Sequence, residues 1–66
     1  MDDWLTQAAT RVGLSEADLS AEDEKLLLDQ ARIAAHGSAR TNAPLWCYLL
    51  GLAAGRSGRD LRELVG

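Results

Sequence analysis

Between Arg40 and Arg56 this chain carries no charged residue. The stretch reads NAPLWCYLLGLAAG over residues 42–55, and any fold the chain adopts must find cover for it. Asn42 is a natural N-cap, and Pro44 suits a first helical turn because its missing N–H would be unpaired there anyway. Gly55 follows as a terminator. These signals predict a helix over 43–54. Such a helix spans roughly 20 Å, short of the ~30 Å hydrocarbon core of a bilayer, so a membrane span is excluded. A helix apolar all round belongs in the middle of a bundle or between subunits. Gly51 and Gly55 stand four residues apart beside Ala54, where a neighbouring backbone could approach closely, although the spacing is also compatible with coincidence.

The remaining punctuation is helical as well. Apolar–polar alternation never persists, and the β-branched residues are Val12, Ile33, Val65 and three threonines, too few for a sheet. Asp2 or Asp3 can cap a first helix whose stripe is Trp4, Leu5, Ala8, Ala9 and Val12, with Gly13 placed for a left-handed stop. Residues 14–19 read either as a turn or as a short helical turn, with Leu14 and Leu19 as apolar pegs. Ser20-Ala-Glu-Asp23 is a capping-box variant, and Glu22, Asp23 and Glu24 suit the positive end of a second helix over about 21–36. Leu27, Leu28, Ala31, Ala34 and Ala35 give it a narrow face of mostly small residues, and Gly37 stops it. Ser57 can cap a short fourth helix that turns Leu61, Leu64 and Val65 inward. The expected architecture is an all-α small helical bundle, one domain over residues 1–66. It has three main helices plus a short C-terminal fourth, with the apolar helix 43–54 central.

Size makes cover scarce. A 66-residue chain buries only about 60% of the surface it exposes when unfolded. Small scaffolds usually add a disulfide, a metal, a partner or unusually good helix packing. Cys47 is the single cysteine, which excludes an internal disulfide, and one Cys with one His cannot complete a four-ligand structural zinc site. Neither a metal nor a cofactor is expected, and self-association or a partner protein becomes the expected stabiliser. The net charge of −3 argues against bulk nucleic-acid binding. Charge is also uneven: residues 1–31 hold eight acids against Arg11 and Lys25, whereas residues 32–66 hold five arginines against Asp60 and Glu63. That asymmetry can steer a partner, or it can mean two solvated faces of opposite sign. The opening MDDWL lacks the basic start and apolar core of a signal peptide, and a lone cysteine suits a reducing compartment, so a cytoplasmic location is expected.

Trp46 and Tyr48 fall about 200° apart on a helix. Four short helices cannot easily cover both rings, so one aromatic face is a candidate interface; an aromatic at the core edge with its polar atom in water is the alternative. The candidate interface residues are Trp4, Trp46, Tyr48, Leu49, Gly51 and Gly55. Cys47 has apolar neighbours and no adjacent positive charge to favour a thiolate, and His36 lies across a loop at another helix end. Cys47 is read as a core residue, and His36 as a partner of the carbonyls ending its helix. The carboxylates of Asp23 and Glu24 read as capping groups. No catalytic constellation is visible, so an enzyme is not expected. The Gly55-Arg-Ser-Gly-Arg59 segment could hold a phosphate or carboxylate with Arg56, Ser57 and Arg59, although a glycine-rich turn between helices explains it without a ligand. Its spacing is neither a Walker loop nor a dinucleotide fingerprint.

The segments MDDWL, AHGSAR and APLWCYLLGLAAGRSG together resemble a small all-helical domain family of unknown function from high-GC bacteria. Members of that family look like short helical proteins, some similar to segments appended to nucleotidyltransferases that make molybdopterin guanine dinucleotide. The resemblance carries over Trp4, His36, Gly37, Arg40, Pro44, Leu45, Gly51 and Gly55, without a chemical role for any of them. It implies a link to molybdenum-cofactor maturation. The function expected is a non-enzymatic accessory module that self-associates or docks on a larger protein, without nucleic acid or membrane. The alternative is a small-anion or nucleotide-ligand domain built on the Gly55–Arg59 segment.

Overall fold

The computed structural model describes residues 1–65. Four helices follow one another: α1 (Asp3–Arg11), α2 (Ala21–Gly37), α3 (Asn42–Ser57) and α4 (Leu61–Val65). A single 3-10 turn, Glu16–Asp18, lies between α1 and α2, and no strand occurs among the described residues. The protein is a small all-α bundle, as its punctuation predicts.

Each helix end has an identifiable chemical cause. The Asp2 carboxylate accepts the Leu5 amide at 2.8 Å, capping α1, and Gly13 takes the left-handed φ of 79° that ends it. Ser20 Oγ accepts the Asp23 amide at 3.1 Å to open α2. The reciprocal capping box belongs instead to Ser15 and Asp18: the Asp18 carboxylate accepts the Ser15 amide at 2.9 Å and fixes the 3-10 turn. Three expectations about α3 are corrected. Its N-cap is Thr41, without a side-chain bond, so Asn42 is the first helical residue rather than the cap. The helix runs through Gly55 and stops at Gly58, whose φ is 70°. Ser57 therefore ends α3 rather than capping α4: its hydroxyl donates to the Ala53 carbonyl at 2.7 Å and accepts the Arg59 amide at 3.2 Å. The Asp60 carbonyl opens α4 by accepting the amides of Glu63 and Leu64.

Helices α2, α3 and α4 pack on one another, and α1 touches them little. The centre is Leu50 on α3, 3% exposed, with Leu61 of α4 beside the same core. Around them Leu26, Leu27, Ala31, Ala34, Cys47, Ala54, Leu64 and Val65 are half-buried. The Cys47 thiol donates to the Leu27 carbonyl at 3.7 Å, tying α3 to α2. Leu28 does not join the expected α2 face and is 66% exposed. It sits about 200° around the helix from Leu26, which turns inward in its place. On α1, Leu5, Ala8 and Ala9 are half-buried while Trp4 and Val12 point to solvent. The exposed Arg62–Glu22 pair, 3.0 Å, links α4 to α2 and adds little stability because water screens both partners.

Two kinds of glycine follow from this arrangement. An added Cβ at Gly51 meets nothing within 4 Å, whereas Gly58 holds a left-handed conformation that L side chains rarely adopt. Gly51→Ala should stabilise the chain by about 1 kcal/mol through helix propensity, and Gly58→Ala should destabilise it by a similar amount. Urea-denaturation midpoints moving in opposite directions are the expected result. Leu50→Ala should cost about 2–5 kcal/mol, a large part of the stability of so small a domain, read as the loss of the cooperative thermal transition or a sharp fall in its midpoint.

Candidate interaction surface

One face of α3 meets α2 and the other does not. Leu45, Tyr48 and Leu49 are 60%, 67% and 54% exposed, although the helix between Asn42 and Gly55 bears no charge. The bundle covers one apolar side of this helix and leaves the other bare.

An open groove of about 450 Å³ runs between α2 and α3 beside that bare side. Its apolar wall is formed by Ile33 and Ala34 on α2 and by Leu45, Trp46 and Leu49 on α3, and Gln30, Ser38 and Asn42 complete it. None of these residues is charged. Its polar side chains are bonded within the chain. Trp46 Nε1 donates to Gln30 Oε1 at 3.1 Å across the two helices. Ser38 Oγ donates to the Ala34 carbonyl at 2.6 Å and accepts from Asn42 Nδ2 at 3.1 Å. Trp46 Nε1 and Ser38 Oγ can lose water with their hydrogen bonds kept, while the side-chain amides of Gln30 and Asn42 keep further N–H groups for water or a partner. A second apolar groove, about 430 Å³, lies between α1 and the segment after it, lined by Leu5, Ala8, Ala9, Val12, Leu14 and Leu19 among others.

The six interface residues expected from the sequence therefore separate. Trp46 and Leu49 line the α2–α3 groove, while Tyr48, Gly51 and Gly55 are exposed on α3 outside it and Trp4 stands on α1. Neither Gly51 nor Gly55 receives a neighbouring backbone within the chain, since a Cβ at either would meet nothing within 4 Å. Sequence reasoning missed Ile33 and Leu45 as groove residues. Leu45 had a readable signal, because it precedes Leu49 by four residues and so continues its ridge. The groove position of Ile33 depends on how α2 crosses α3, which no local pattern encodes.

The other candidates are also placed. Arg56 and Ser57 form the last turn of α3 and Arg59 lies in the short link to α4, all exposed. Cys47 is half-buried against Leu27, while His36 is exposed nine residues further along α2, about 13 Å of helical rise. Among the described residues, no group of three His, Cys, Asp or Glu side chains is arranged to hold a metal ion. No helix of the described residues is long and apolar enough to cross a membrane.

The Trp46–Gln30 bond is the cross-helix link at the groove, and Trp46→Phe removes it while keeping a ring in place. The expected cost is about 0.5–1.5 kcal/mol, measured by chemical denaturation, with Gln30→Ala in the Phe background adding little because the pair is already broken.

No curated protein and no solved structure matches the chain. The segments that carry the resemblance span Met1 to Gly58, and a family match runs the length of the sequence. On that match, over residues 1–66, the protein belongs to the family described as a domain of unknown function (DUF6457).

Proposed function

We propose that this domain is a non-enzymatic interaction module that presents an apolar helical surface to another protein chain. The carrying observation is its surface area. The chain exposes 5199 Å², whereas a compact monomer of 7.1 kDa exposes about 4,100 Å² by the area–mass scaling of folded proteins. The excess, about 1,100 Å², exceeds the ~800 Å² that each partner loses in a standard interface. The Cα radius of gyration, 12.1 Å against about 10.8 Å for a compact 66-residue chain, points the same way. Large apolar side chains stand in that surface, Leu45, Tyr48 and Leu49 on α3 and Trp4 on α1. Patches of that kind mark protein-interaction sites.

The chemistry of the side chains supports the same reading. Cys47 is engaged by a carbonyl and lies well away from His36 along α2, so this imidazole is not placed to activate the thiol. The anion-binding alternative has weaker support. Arg56 and Ser57 sit at the carbonyl end of α3, where the helix dipole opposes a bound anion, and the Ser57 hydroxyl is already bonded on both sides. The resemblance to segments appended to nucleotidyltransferases supports molybdenum-cofactor maturation in bacteria as the setting, with such a nucleotidyltransferase as the larger partner.

The test combines folding with purification from the native host. The melting temperature of the isolated chain should rise by several degrees over a hundredfold increase in concentration, or the chain should co-purify in stoichiometric amount with another protein. A concentration-independent transition in a chain that purifies alone as a monomer retires the proposal. Recovery of the nucleotidyltransferase supports the molybdenum setting, and a stoichiometric complex lacking it removes that setting alone.

A further inference from the structure

We propose that the α2–α3 groove is the interface of a homodimer, in which the Leu45–Leu49 ridge of each copy seats in the groove of the other. This rests on the interaction-module reading and specifies its partner as a second copy of the chain.

Four observations lead to that occupant. The first is shape: ridge and groove lie side by side on one surface, and Leu45 and Leu49 contribute to both. Residues four apart form the ridges that interdigitate when helices pack. A two-fold axis through such a surface brings each ridge onto the opposite groove, the self-complementary arrangement of an isologous dimer. The second is charge. None of the groove residues is charged, and the nearby α2 residues Asp29 and Arg32 pair with each other. On α3 the one charge is Arg56, eleven residues beyond Leu45 and about 16 Å along the helix. A partner with a charged epitope has nothing here to pair with, whereas a second identical apolar surface leaves no charge unpaired. Homodimer interfaces are the more apolar class for this reason.

The third observation is polar pairing. The Trp46 Nε1 and Ser38 Oγ donors are bonded within the chain, so covering them strands neither, while the remaining amide N–H groups of Gln30 and Asn42 call for water or a carbonyl at the rim of the interface. The fourth is size. The whole chain exposes about 1,100 Å² more than a compact monomer of its mass, enough to supply the ~800 Å² that each partner loses in a standard interface, and two chains form a body of about 130 residues, well inside the range of stable domains. The groove beside α1 is the weaker candidate, because it is built by a helix that hardly touches the rest of the bundle.

The experiment is light scattering and sedimentation of the full chain, with circular dichroism to verify folding. The expected mass is that of two chains at micromolar concentration. Leu49→Glu, at a position 54% exposed, should retain helicity and raise the dissociation constant at least a hundredfold. Leu28→Glu, 66% exposed on the side of α2 turned away from the groove residues, should leave the dimer intact. If Leu49→Glu unfolds, isotope-filtered NOEs between the Ile33 methyls of one copy and the Leu49 methyls of the other test the unmodified protein, and their absence from a dimer overturns the proposal. A monomer at hundred-micromolar concentration also overturns it, as does a dimer broken by Leu28→Glu and tolerant of Leu49→Glu. A monomer that forms a stoichiometric complex with a different protein removes the homodimer and keeps the interaction-module reading; a monomer that binds nothing removes both.

Discussion

The contact between α2 and α3 is what the rest of this structure depends on. Leu50 occupies its centre, the Cys47 thiol reaches the Leu27 carbonyl across it, and Trp46 bonds to Gln30 at its edge. The short α4 contributes Leu61 to the same centre. A five-residue helix cannot hold itself together in water, so α4 exists because packing of Leu61, Leu64 and Val65 supplies what its own hydrogen bonds do not. Small residues on both helices, Ala31 and Ala34 on one and Ala43 and Ala54 on the other, are half-buried near this contact. They permit close approach but contribute little apolar area each, so one helix pair cannot bury much.

That arithmetic explains the exposed side of α3. A helix uncharged over more than three turns has two apolar sides, and a bundle of this size covers one. With Leu50 and Leu61 the only buried apolar residues among those described, the interior is smaller than the apolar content of the sequence would fill. The remainder lies on the surface, where Leu45 and Leu49 flank a groove whose polar members each make a hydrogen bond within the chain. Exposed leucines scattered singly are ordinary; a ridge of them beside an uncharged groove is a surface suited to burial.

How much of this was legible depends on the range of the interaction concerned. The starts of α1 and α2 were readable because their caps are local: Asp2 and Ser20 bond amides three residues away. Ser15 escaped notice as a capping-box residue because the turn it opens is too short to show a periodic stripe. Gly55 was a false stop, since a glycine inside a helix costs only about 1 kcal/mol and the Leu52–Ala54 run can carry the helix past it, while the left-handed residue is Gly58. The outward turn of Leu28 and the groove position of Ile33 depend on the crossing of two helices, and local pattern is silent on that. The separation of Trp46 from Tyr48 was legible from helical geometry alone; that Trp46 would bond Gln30, sixteen residues away, was not.

The uneven charge of the chain completes the argument. A small domain with Trp4, Leu45, Tyr48 and Leu49 in solvent risks indiscriminate association, because apolar contact is non-directional. Eight of its acids fall within residues 1–31, on α1, the 3-10 turn and the first two-thirds of α2, while α3 before Arg56 has none. Like charges gathered on that part of the molecule repel its copies wherever it would be brought face to face with itself, and they leave the uncharged side of α3 free of that repulsion. Approaches of acidic segment to acidic segment are thereby penalised, whereas the acids of residues 1–31 attract the five arginines of residues 32–66, so charge bears on how two molecules orient and the uncharged side of α3 is left to apolar contact.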